Sequence, residues 1–64
     1  MTETAGAMDL DATTERIADM LGVSAAAVEE LASARLIPCE RMGHGGEAYW
    51  AYDSHAIAQL FGIG

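Results

Sequence analysis

Residues 13–36 constrain this chain most. Ile17, Ala18, Met20 and Leu21 recur at helical spacing, Leu21-Gly22-Val23-Ser24 interrupts the pattern, and Val28 and Leu31 resume it. Thr13 is a good cap for a first helix, with Glu15 and Arg16 in its first turn. Gly22 suits a left-handed exit from that helix, because it has no Cβ to clash there. Ser24 then caps a second helix that runs from Ala25 to about Ser33 and stops near Ala34. Two short helices joined by so tight a turn must pack against each other and bury Ile17, Val28 and Leu31.

On the second helix Val28, Leu31 and one of Ala27 or Ala32 face inward. Ala25, Ala26, Glu29, Glu30 and Ser33 face outward. From Leu36 to Met42 the period changes to two, and Pro38 keeps this segment out of a central strand. Gly43-His44-Gly45-Gly46 reads as a turn and Ala48–Tyr52 as the returning strand. Such a hairpin is marginal alone and has to lean on the helices. Tyr49 and Trp50 point to opposite faces of their strand, so one covers the core and the other is partly exposed. Asp53 or Ser54 caps a last helix whose apolar face is Ile57, Leu60 and Phe61, and Gly62 ends it. The fold class expected is mainly α with a small β-hairpin, in the order helix, turn, helix, hairpin, helix. Residues 1–12 read as a flexible acidic N-terminal tail and residues 13–64 as the domain, with the packing of Met8 and Leu10 left open.

At 64 residues the chain holds one domain at most, and a domain of that size is marginal by itself. A hydrophobic content of 52% is enough for a small core. Pairing or docking on a partner is a common source of extra stability at this size, so a homodimer is one expectation. The formal net charge is −7, from ten acidic residues against three arginines and no lysine. That balance repels phosphate backbones at long range and attracts basic surfaces. Cys39 is the sole cysteine, which excludes an intramolecular disulfide and suits a reducing compartment. No signal-peptide pattern and no apolar run of the ~20 residues needed for a membrane span is present. A soluble, cytoplasmic protein without membrane association is expected.

The helix-turn-helix pattern belongs to a longer series. Thr14-Glu15, Ile17-Ala18, Leu21-Gly22-Val23-Ser24, Val28, Leu31, Leu36-Ile37-Pro38, Gly43, Gly45-Gly46, Tyr52 and Ile57 fall in the order and spacing of the MerR-like and excisionase-like DNA-binding domains. The match covers about Thr13 to Leu60. The chain therefore resembles a small winged helix-turn-helix. The resemblance implies that the second helix lies in the major groove and that the hairpin wing touches the flanking backbone. It also implies a non-enzymatic regulatory or accessory role in transcription or excision.

Several residues depart from that family. Ala25-Ala26-Ala27 stands where basic or amide side chains usually follow the cap, and Glu29 and Glu30 follow Val28. The wing offers Glu47, Ala48 and Ala51 in place of arginines. Arg35 occupies a position where glycine is common, and a left-handed backbone there would cost it about 1 kcal/mol relative to glycine. A specific complex makes on the order of 6–10 phosphate contacts. This chain offers Arg16, Arg35 and Arg41, with His44 and His55 when protonated. Duplex DNA is therefore expected to bind weakly to the lone subunit and to need a dimer or a partner. The alternative is a protein-binding module that keeps the fold and uses its acidic face to engage or inhibit a basic, nucleic-acid-binding protein.

The contact residues expected for DNA or partner are Ala25, Ala26, Glu29, Glu30, Ser33, Arg35, Arg41, His44 and Tyr49. Cys39, His44 and His55 fall one ligand short of a structural zinc site, and Cys39 reads as a small hydrophobe at the start of the wing. No metal, cofactor, small-molecule substrate or catalytic residue is expected, since a Cys39–His44 pair lacks an orienting third group and a pocket. The Gly43–Gly46 run lies between strands and lacks the lysine of a phosphate loop.

Overall fold

A computed structural model describes residues 9–63. In chain order it contains α1 (Thr14–Leu21), α2 (Ala25–Ser33), β1 (Cys39–Met42), a 3-10 turn (Gly45–Glu47), β2 (Tyr49–Tyr52) and α3 (Ser54–Leu60). The expected fold class, mainly α with a small antiparallel hairpin, describes it.

Each helix starts where a side-chain oxygen replaces a missing backbone partner. Thr13 accepts from the Arg16 N–H at 3.2 Å, Ser24 from the Ala27 N–H at 3.1 Å, and Asp53 from the Ala56 N–H at 3.0 Å. Each helix also leaves through a left-handed residue, Gly22 at φ 72°, Arg35 at φ 58° and Gly62 at φ 71°. The residue after each of these sends its N–H back across the last turn. Val23 donates to Ala18 at 3.0 Å, Leu36 to Leu31 at 3.0 Å, and Ile63 to Ala58 at 2.7 Å. These bonds satisfy carbonyls that the helix itself leaves open.

The hairpin pairs Cys39 with Tyr52, Glu40 with Ala51, Arg41 with Trp50, and Met42 with Tyr49. Gly43, at φ 80°, must be glycine, because a Cβ there would lie 2.9 Å from the Glu47 carbonyl oxygen. Ile17, Val28, Ala32, Tyr52 and Ile57 are fully buried, with Ala18, Ile37 and Cys39 beside them. Inside this core the Thr14 hydroxyl and the Tyr52 phenol share a 2.9 Å hydrogen bond. Burial pushes the Tyr52 phenol above its ordinary pKa, and that bond opposes the shift.

Three expectations need correcting. The ordered domain begins before residue 13. Ala12 bridges Tyr52, with N–H to O distances of 3.1 and 3.0 Å, and the Asp9 N–H donates to the Asp53 carboxylate at 3.1 Å. Part of the expected acidic tail thus lies along β2, while residues 1–8 are outside the described residues. Leu36, Ile37 and Pro38 precede β1 rather than forming its start, because the left-handed Arg35 turns the chain before it can extend. On α2, Val28 and Ala32 are fully buried and Leu31 packs half-buried against the core, the inward face expected. Leu60 and Phe61, expected on the core face of α3, are 60% and 48% exposed. Ile57 is the buried residue of that short helix.

Candidate functional site

The C-terminus of α2 and the hairpin meet at Trp50. Arg41 and Trp50 are cross-strand partners, so their side chains leave the same face of the hairpin. The Arg41 guanidinium lies 5.0 Å from the centre of the Trp50 ring, and the Arg35 guanidinium lies 5.5 Å from it. Both distances are within cation–π range, where a cation is drawn to the electron-rich ring face. Trp50 is half-buried and packs on the core, so the ring that both arginine heads approach is fixed relative to the helices.

Arg35 reaches that ring from a strained backbone. It sits at the left-handed position that closes α2, where its N–H donates to the Ala32 carbonyl at 3.0 Å. The helix ends at Ser33, and the Arg35 head lies over Trp50 rather than continuing the helical row with Glu30. The same geometric role is filled by glycine in α1 and α3. The left-handed backbone that would cost Arg35 relative to glycine is the one it adopts.

Arg16 stands apart from the Trp50 pair. It belongs to the first turn of α1, and its charge helps hold the Asp11 carboxyl below its ordinary pKa. The larger causes of that shift are the Ser54 N–H and then the Ser54 hydroxyl, which donate to Asp11 at 3.1 and 3.0 Å. Asp11 and Asp53 together thus tie the N-terminal segment to the start of α3.

Ala26, Glu29, Glu30 and Ser33 are exposed on α2, and Ala25 is half-buried. Glu29 borders a groove of about 490 Å³ whose walls also include Glu15, Arg41, Tyr49 and Trp50. Arg41 and Glu29 are thereby brought to one groove, on the side of the molecule where α1, α2 and the hairpin meet. Tyr49 is 57% exposed on the outer face of β2. His44 is exposed at the hairpin tip, just before the 3-10 turn. Of the expected contact residues, Glu29, Arg41 and Tyr49 share this groove, and Arg35 joins them through Trp50. Ala26, Glu30 and Ser33 line the neighbouring exposed face of α2.

Trp50 is the member of the site that sequence reasoning passed over. Strand alternation alone left open whether Tyr49 or Trp50 faced the helices, and the pairing of Arg41 with Trp50 depends on hairpin register. Cys39 is buried with its thiol donating to the Ala32 carbonyl at 3.7 Å, as a small hydrophobe would pack. Burial raises its thiol pKa, which disfavours the reactive thiolate. Among the described residues no three of His, Cys, Asp and Glu are grouped to hold a metal ion. No helix among them is long and apolar enough to cross a membrane. Comparison with known proteins finds no family model, no curated protein and no solved structure that matches this chain.

Proposed function

We propose that this chain is a small non-enzymatic winged helix-turn-helix protein that acts at duplex DNA together with a partner. In this reading the hairpin is the wing and α2 is the helix nearest the groove. Arg35 and Arg41, held by Trp50, contact the phosphate backbone beside it. The observation that carries the reading is the left-handed Arg35 stacked with Arg41 on one ring. A strained arginine where glycine would be easier points to a role for the guanidinium itself.

Charge sets the limit on this activity. Two arginines neutralise two phosphates, against the several made by a specific complex. Glu29 and Glu30 on α2 oppose close approach to the backbone, and the chain carries a net charge of −7. Alanine at positions 25 and 26 can touch a thymine methyl but cannot form the bidentate pairs that read guanine or adenine. The protein therefore positions or modifies a complex on DNA, and most of the affinity comes from its partner. Titrating duplex into the wild type and the R35A/R41A variant at low salt tests this, since binding should depend on the pair.

A second reading is favoured by the exposed Glu29 and Glu30. In it, α2 engages a basic protein directly and DNA plays no part. Reversing both charges separates the two readings, because it has opposite effects on them.

A further inference from the structure

All three helices end on one apolar groove. Val23, Leu36 and Ile63 each follow a left-handed helix exit, and all three line a groove of about 700 Å³ with Leu21, Leu31 and Phe61. The closing bonds explain the convergence. Each turns the chain so that the next apolar side chain folds back beside its own helix, as Leu36 does beside Leu31. Leu36 is 64% exposed, so among the described residues nothing covers this side chain.

The electrostatics of the groove name the chemistry of its occupant. Helix C-termini carry partial negative charge in the last turn, reduced here where the closing bonds take up some of the carbonyls. Among the described residues, none of the three helices has a basic side chain in its last turn, and Arg35, just beyond α2, turns its guanidinium over Trp50. The charged side chain in the wall is Glu30. An apolar floor inside a negative rim fits apolar anchors flanked by cations. A second copy of this chain supplies them poorly, because it has three arginines and no lysine, and two of those arginines lie on Trp50.

We propose that the groove where α1, α2 and α3 end docks an amphipathic helix of a partner protein, whose leucine-type anchors are flanked by lysine or arginine. Anchors spaced i, i+3 and i+7 on one helix face match such a groove. This deepens the functional reading above by naming the partner's chemistry, and it rests on that reading for its consequence at DNA.

The test uses the full chain and no DNA. A library of helical peptides with Leu at i, i+3 and i+7, and with Lys, Arg, Glu or Gln randomised at the flanks, is selected on the wild-type protein. The proposal expects basic flanks to be enriched and a selected peptide to bind about tenfold tighter than its glutamate-flanked version, a difference of about 1.4 kcal/mol. The same peptide should lose about tenfold against the L36S/F61S variant, whose replaced side chains are exposed, and bind R16A, altered in the first turn of α1 at the far end from the groove, as well as wild type. Circular dichroism confirms that both variants fold. Neutral or acidic enrichment, no enrichment, or equal binding to L36S/F61S overturns the proposal. So does a sedimenting mass of two copies that L36S/F61S abolishes, because a second copy then fills the groove. A failure here leaves the duplex titration of Arg35 and Arg41 standing, and a failure there leaves the peptide result standing.

Discussion

The Arg35 guanidinium lies 5.5 Å from the centre of the Trp50 ring, and it gets there from a backbone at φ 58°. Left-handed backbone disfavours a residue with a Cβ by about 1 kcal/mol relative to glycine. An exposed cation–π contact returns about 0.5–1 kcal/mol. The two effects nearly cancel, so this arginine adds little to stability.

That balance predicts an unusual variant. Arg35→Gly should leave the denaturation midpoint unchanged or slightly raised while weakening duplex binding. Urea unfolding and a low-salt titration on the same preparation check it. A loss of more than about 1 kcal/mol in stability would show that Arg35 serves the fold instead.

The exposed carboxylates of α2 give a prediction of opposite sign for each functional reading. Replacing Glu29 and Glu30 by lysine adds four units of positive charge to one helix face. Duplex association should rise about tenfold or more at low salt if α2 faces DNA. Capture of a basic protein by that face should fall. Surface plasmon resonance against an immobilised duplex reads the first sign.

The core makes a separate prediction through the buried Thr14–Tyr52 bond at 2.9 Å. Thr14→Val leaves the Tyr52 hydroxyl without a partner in a fully buried setting, which should cost about 1–3 kcal/mol. Tyr52→Phe strands the Thr14 hydroxyl instead. The double variant should be more stable than the sum of the two losses, because both polar groups are then gone. Chemical denaturation of the four proteins measures that coupling.

Asp11 predicts the acid limb of the stability curve. Hydrogen bonds from Ser54 hold its carboxyl below the ordinary range in the folded state. A carboxyl lowered on folding stabilises fully above its unfolded pKa of about 4 and loses that contribution as pH falls through the folded value. Asp11→Asn should therefore be less stable than wild type at neutral pH, and the gap should close under acid. Thermal melts at pH 7 and near pH 2 follow it.

Local signals made much of this fold legible. Thr13, Ser24 and Asp53 announce helix starts, and Gly22 and Gly62 announce ends, because caps act within a few residues. The left-handed Arg35 was legible only as a condition, since it stands where the resembled family commonly has glycine. Pairing between Ala12 and Tyr52 was hidden, since it joins segments 40 residues apart and leaves no local period. The site was half legible. Arg35, Arg41 and Tyr49 stood out by residue type, whereas Trp50 waited on hairpin register. Leu36 and Phe61 carry the spacing of core residues, and only the turns that follow α2 and α3 place them on an open groove.

Trp50 is the single tryptophan, so its emission reports directly on the ring that both arginines touch. Titrating duplex DNA across a low-salt series while following that emission tests the central claim. Two phosphates neutralised by Arg35 and Arg41 predict a slope of log affinity against log salt of about −1.8, falling toward zero in the R35A/R41A variant. Wild-type protein that shows no duplex binding at low salt, or a slope that survives loss of both arginines, would contradict it.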